Sequence, residues 1–355
     1  MRIRVPNTPS SARTLRRLLA NVAICIAIGL TIVVVFSFVY DLQSLRSVLS
    51  SVRLIQILVP FGFTFLVYIS DAIRLKIVLK FFAEDLGVLH GMLNSVIGVF
   101  FSNITPLPVG GQPFQIHHLY RRGIGTNRAA NIIVSRRFVK SFLIITMCAV
   151  FFSHVRELSE DMHIASVLLH LGLFTYLAIT LVLAFLFANP GFLGMLARRI
   201  DNSWFGRPIR RAVAHPDWAA KVDTWATALK GEVRTLWIQK PHVVLLDAVF
   251  MLLNLFLHTA ALAYVVESYV HIGISYFQYL MIFVILNVVA YLVPTPGASG
   301  SVESVYALAF IAISRQPVLA ASAVLVWRFA TYYLHVFFGL AVVALYARDT
   351  RKLPG

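Results

Sequence analysis

Arg328 sits inside the run Gln316 to Ala347, which carries no other residue charged at neutral pH. It is 12 residues from one end and 19 from the other, about 18 and 28 Å along a helix. That is too deep for the side chain to snorkel to water. A guanidinium at such depth in a bilayer costs about 2.5–3.5 kcal/mol and needs a partner. A carboxylate, Glu303 or Asp247, would make a structural ion pair, and an anion such as a lipid phosphate would make a binding site gripped by guanidinium forks. Arg136, Arg137 and Lys140 pose the same question nearer the end of another apolar stretch, where snorkelling to lipid phosphates also accounts for two of them.

Two irregular stretches lie close to these cations in sequence. Pro106, Pro108, Gly110, Gly111 and Pro113 interrupt the uncharged residues 86–120, and Pro294, Pro296, Gly297 and Gly300 interrupt 276–314. Proline removes an amide donor and glycine loosens the chain, so such backbone survives at membrane depth only where protein buries it or it lines a cavity. Amides freed around Gly110, Gly111, Gly297 and Gly300, with Gln112 and Ser299 beside them, would supply further donors to an anion. His117 and His118 suit either proton relay or hydrogen bonding within the first elbow.

The elements that must position these groups follow from composition. Of 355 residues, 59% are hydrophobic and 13% charged, and the mean hydropathy is +0.80, far above that of a water-soluble globule. Apolar runs exceed the 18 or so residues that span hydrocarbon as helix, and none shows strand alternation. The expected fold is therefore all-α and polytopic: about six full transmembrane helices plus two oppositely oriented re-entrant hairpins.

The net charge of +16 is spread over short segments between spans, which fits orientation and anionic lipid better than nucleic acid. A basic cytoplasmic N-terminus (1–17) precedes a retained first helix, and residues 18–188 form a first half with its hairpin near 86–120. Residues 189–241 form a cytoplasmic segment, 242–347 a second half with its hairpin near 276–314, and 348–355 a cytoplasmic tail. Both termini are thus expected inside a cell (inner, cytoplasmic) membrane. Within 189–241, Trp218, Val222, Trp225, Leu229, Val233 and Leu236 recur at helical spacing, which places a helix either in the membrane interface or against its own bundle.

The halves also echo each other. Pro106-Leu107-Pro108 precedes Val134-Ser135-Arg136-Arg137-Phe138, and Pro294-Thr295-Pro296 precedes Leu325-Val326-Trp327-Arg328-Phe329. This pairs Arg137 with Arg328 and Phe142 with Tyr333. The charge pattern gives the halves opposite orientation, the inverted repeat typical of secondary transporters.

Together Pro294-Thr295-Pro296-Gly297-Ala298-Ser299-Gly300-Ser301-Val302-Glu303, Trp327-Arg328-Phe329-Ala330-Thr331-Tyr332-Tyr333, Gly110-Gly111-Gln112-Pro113 and Leu119-Tyr120-Arg121-Arg122-Gly123 resemble the transmembrane-region family of lysylphosphatidylglycerol synthetases, flippase-like integral membrane proteins. The resemblance runs over nearly the whole chain. It implies the lipid-translocating part without the soluble aminoacyl-transferase domain. Ala298 stands where the family often has a second glycine. Gln112 and Gln115 stand where it often has a glutamate and an arginine, a change that points to a different head group.

The function expected is a flippase that moves an anionic or polar lipid, or a lipid-linked precursor, between leaflets by alternating access. Arg328, Arg137, Glu303, Arg136, Lys140, Gln112 and Ser299 would meet the head group. Pro106, Pro108, Gly110, Gly111, Pro294, Pro296, Gly297 and Gly300 would form the gates. The expected partners are membrane phospholipids or a lipid-linked substrate, with a lipid-synthesis enzyme as a further one. A membrane-embedded lipid-modifying enzyme, or its regulatory subunit, is the alternative. The sequence lacks an Asp-x-Asp pair, a Walker loop, a His-Glu-x-x-His and a Gly-x-Ser-x-Gly elbow, so no metal, cofactor or catalytic residue is expected.

Overall fold

Lipid offers no hydrogen bonds to a peptide, so long apolar stretches close their own amides as helix. The computed structural model describes residues 42–105, 110–159, 163–203, 217–290 and 295–349, with a few positions between 20 and 31. Among these residues the chain is helical and has no strand. In order come α1 (Leu42–Ser50), α2 (Leu54–Lys80), α3 (Val88–Ile104), α4 (Gln112–Arg121), α5 (Thr126–Ser159), α6 (His163–Ala188) and α7 (Pro190–Asp201). These are followed by α8 (Trp218–Arg234), α9 (Pro241–Val270), α10 (Tyr276–Ala290), α11 (Ser301–Ser314), α12 (Pro317–Arg328) and α13 (Leu334–Asp349). Proline opens α7, α9 and α12, where its missing amide would have had no helical partner anyway. Wider π turns, Thr235–Gln239 and Phe329–Tyr333, lie before α9 and between α12 and α13.

Three continuous stretches are long and apolar enough to cross a bilayer: Leu54–Lys80, Pro241–Val270 and Pro317–Tyr346. A fourth pair, Gly172–Ala188 with Pro190–Asp201, is bent by 91°. Many apolar side chains on these helices point outward, among them Leu54 and Leu245 at 68% exposure, as suits a lipid-facing wall. The four helices of the interrupted units are shorter. At 17, 10, 15 and 14 residues, α3, α4, α10 and α11 reach about 25, 15, 22 and 21 Å, less than the roughly 30 Å of hydrocarbon. Residues 18–40, read as the first span, lie largely outside the described residues, as do the turn prolines Pro106, Pro108 and Pro294 and the tail from 350 onward.

The chain divides into two compact units. One draws on residues 1–69, 95–114 and 255–355, the other on 70–94 and 115–254. In the first unit, Phe100, Phe101, Ile104, Tyr332 and Val336 form one buried cluster. An aromatic chain joins α10, α11 and α12, with the Tyr306 and Trp327 rings 5.0 Å apart. In the second unit, Leu75, Leu79, Leu119, Ile132, Ile133, Leu236 and Val243 pack together.

Helix α8 belongs to this second core. Ala219, Ala226 and Leu229 are buried, and Asn131 donates to the Glu232 carbonyl at 2.8 Å. Arg198 of α7 pairs with Asp223 at 3.2 Å, and the Trp218 indole donates to Asp201 at 2.8 Å. The apolar stripe of α8 therefore faces protein, which decides between the interfacial and the bundle-packed readings in favour of packing.

Candidate functional site

The first unit builds its charged group around residues 295–303. The Thr295 hydroxyl donates to the Ser299 carbonyl at 2.8 Å, and the Ala298 and Ser299 amides donate to the carbonyls of Thr295 and Pro296 at 3.0 Å each. Gly297, Ala298 and Gly300 have φ of 58°, 53° and 93°. Glycine is required at 297 for two reasons: the backbone is left-handed, and a β-carbon there would run into the Tyr332 ring. Ala298 adopts the same left-handed backbone as an L-residue, at a cost of roughly 1–2 kcal/mol. This is the position where the resemblance expects glycine.

Glu303, three residues into α11, ties this elbow to the π turn. One carboxylate oxygen accepts from the Gly300 amide at 2.8 Å and the other from Arg328 Nε at 3.0 Å and the Tyr333 hydroxyl at 3.2 Å. Arg328 Nη2 donates to the Gly297 carbonyl at 3.1 Å, and the guanidinium lies 4.1 Å from the centre of the Tyr332 ring. The Tyr332 hydroxyl donates to the carbonyls of Pro296, at 3.3 Å, and Asn103, at 3.0 Å. Glu303 and Arg328 are 1% and 7% exposed, so the ion pair is desolvated and depends on these extra bonds. Of the partners read for Arg328, Glu303 is the one it has, and Asp247 is engaged elsewhere. Ser299 is buried in the same elbow. Gly110, Gly111 and Gln112 belong to the other elbow of this unit: the Gly111 amide donates to the Ser102 hydroxyl at 3.2 Å, and a β-carbon at Gly111 would strike the Gly98 carbonyl. Gln112 is half-buried.

The second unit holds a larger charged cluster, all of it on regular helix. Arg74 Nε and Nη2 grip both oxygens of Asp247 at 2.6 and 2.7 Å, and its Nη1 reaches Asp71 at 3.0 Å. The same Asp71 oxygen accepts from Arg136 Nη2 and from the Asn254 amide, each at 2.9 Å. Arg136 Nε stands 3.6 Å from Asp247. Two arginines and two aspartates are thereby cross-linked. Arg137 and Lys140, half-buried on α5, have no hydrogen bond or ion pair among the described residues.

Asp71, Arg74 and Asn254 are not among the candidate residues named from the sequence, because the apolar run that begins at Leu54 meets its first charges at Asp71 and Arg74. The helix runs on to Lys80. The spacing Asp71-x-x-Arg74, one turn apart at the end of an apolar run, was the available signal. Pairing Arg137 with Arg328 does not carry over to their surroundings: Arg136 is the ion-paired member of the doublet. Phe142 is 69% exposed, whereas its counterpart Tyr333 holds Glu303. His118 is buried against Asn94, whose side chain also donates to the Gln115 carbonyl at 3.0 Å, so it ties α3 to α4 as a hairpin residue.

Buried ion pairs on apolar helices with lipid-facing walls define a multi-pass membrane protein. A profile of the lysylphosphatidylglycerol synthase TM region matches residues 23–339, and the chain belongs to that family. A similar protein is a UPF0104 membrane protein of Archaeoglobus fulgidus, 23% identical over 330 residues that cover 90% of this chain and 94% of the relative.

Proposed function

We propose that the protein carries a phosphate-bearing lipid, or a lipid-linked precursor, between the leaflets of the cell membrane. The observation that supports this most is the state of Arg137 and Lys140: two cations on the 34-residue helix α5, one turn apart and half-buried, with no hydrogen bond or ion pair to a carboxylate among the described residues, although Asp71 is close enough to Lys140 to attract it. Leaving such charges without a bonded counter-ion is costly in hydrocarbon, and a phosphate head group reduces the cost. Arg328 and Arg136, which bind carboxylates already, act as positioning residues. Glu303 and Arg328 hold the elbow at 295–300 in place, and its release is the gating step.

The family supports a membrane lipid role of this kind. Reconstituted into liposomes with a fluorescent anionic phospholipid, the protein should make inner-leaflet label accessible to dithionite. The double variant Arg137→Ala/Lys140→Ala should slow this by about tenfold or more, as expected from losing two charge-assisted contacts. Equal rates in the double variant and the parent protein would refute the assignment, and a new lipid species in the extracts would favour the enzyme reading.

A further inference from the structure

A separate shallow, open cleft of about 450 Å³ lies in the first unit, lined by Ala263, Tyr264, Glu267, Ser268, Ile274, Tyr276 and Tyr279. Its volume is within the range of small-molecule sites, roughly 300–1,000 Å³. Three of its seven lining residues are tyrosines, and its one charged residue is a carboxylate. The wall is held in place by hydrogen bonds. Glu267 accepts from the Tyr279 hydroxyl at 2.8 Å and from the Gly273 amide at 3.1 Å, so the carboxylate is fixed between α9, α10 and the short connection joining them. Gly273 has a φ of 70°, which turns its amide back toward the end of α9. The Tyr279 side chain is buried, whereas Tyr276 is 42% exposed and stacks on Phe256 with ring centroids 6.2 Å apart.

Aromatic faces carry negative charge density, and with a carboxylate among them they attract soft, weakly hydrated cations. An anion would be repelled by Glu267, and a neutral apolar molecule would leave it dehydrated without a counter-charge. We propose that this pocket binds an organic ammonium group. The group could be borne by a lipid head group or by a free amine, since the recognition chemistry is the same. The exposed apolar side chain of Phe256, stacked on Tyr276, gives a lipid-borne ammonium a surface for its chains. The pocket shares no residue with the Arg137 and Lys140 pair and does not depend on the carrier reading.

The test is a calorimetric titration of the purified full-length protein in neutral detergent with tetramethylammonium chloride, against sodium chloride at equal ionic strength. Saturable binding of tetramethylammonium alone is expected. Glu267→Gln keeps an acceptor for Gly273 and Tyr279 while removing the charge, and should weaken binding at least about tenfold. Tyr264→Leu and Tyr276→Leu should each weaken it by about two- to fivefold, the range of one partly exposed cation–π contact. In nanodiscs, retention of phosphatidylethanolamine over phosphatidylglycerol, displaced by tetramethylammonium, would assign the site to a lipid head group. Tetramethylammonium binding without such retention would assign it to a soluble amine. No saturable binding, or equal binding by Glu267→Gln, would overturn the proposal.

Discussion

The two charged groups of this protein solve the same problem in different ways. In the first unit a single arginine and a single glutamate meet where the backbone is irregular, and two of the three hydrogen bonds their side chains make beyond their own pair go to backbone atoms, at Gly297 and Gly300. In the second, arginines and aspartates pair side chain to side chain from α2, α5 and α9, which continue through the cluster without a break. A pair that fastens a loop is suited to opening, because its release frees backbone that can move. A pair that fastens helices sets their register and leaves the adjoining cations, Arg137 and Lys140, without a hydrogen bond or ion pair to a carboxylate among the described residues.

Breaking this comparison begins with Arg74, whose loss takes the bidentate partner from buried Asp247 and one of two arginines from half-buried Asp71. Arg74→Ala should destabilise the protein by about 3–5 kcal/mol, read as a large drop in the thermal midpoint in detergent. Glu303→Ala leaves Arg328 buried without its counter-ion and should cost a similar or somewhat smaller amount, since the guanidinium keeps the Gly297 carbonyl and the Tyr332 ring. The double variant Glu303→Ala/Arg328→Ala should be less damaging than the sum of the single ones, a coupling measurable by a double-mutant cycle. If Glu303→Ala altered lipid movement while Arg74→Ala altered only stability, the distinction between a releasable and a permanent fastening would be sharpened. The smallest effect is expected at Ala298→Gly, which relieves the left-handed strain and should raise stability by about 1 kcal/mol at most, the gain being offset by glycine's greater freedom in the unfolded chain.

Much of this architecture was legible in the sequence. Apolar composition gave a helical membrane protein, the two Pro- and Gly-rich interruptions separated α3 from α4 and α10 from α11, and the depth of Arg328 demanded a partner. The limits came from pairing over distance. Asp71 and Arg74 looked like the end of a span because hydropathy counts each charge alone, whereas Asp247, 173 positions from Arg74, neutralises it in the fold. The apolar stripe on α8 has the same period whether it meets lipid or protein, so spacing alone left both readings open. The cavity at Glu267 was not legible at all, because Tyr264, Tyr276 and Tyr279 come together only once α9 turns back into α10.

The π turn at Phe329–Tyr333 has a mechanical consequence. Neighbouring residues on an ordinary α-helix diverge by about 100°, yet Tyr332 and Tyr333 both reach the segment 296–303, one through Pro296 in the loop and the other through Glu303 in the first turn of α11. The widened turn works like a slipped tooth in a gear. If the extra residue were taken back into regular winding, α13 would rotate against α12, and the two phenols would no longer engage the same neighbour together.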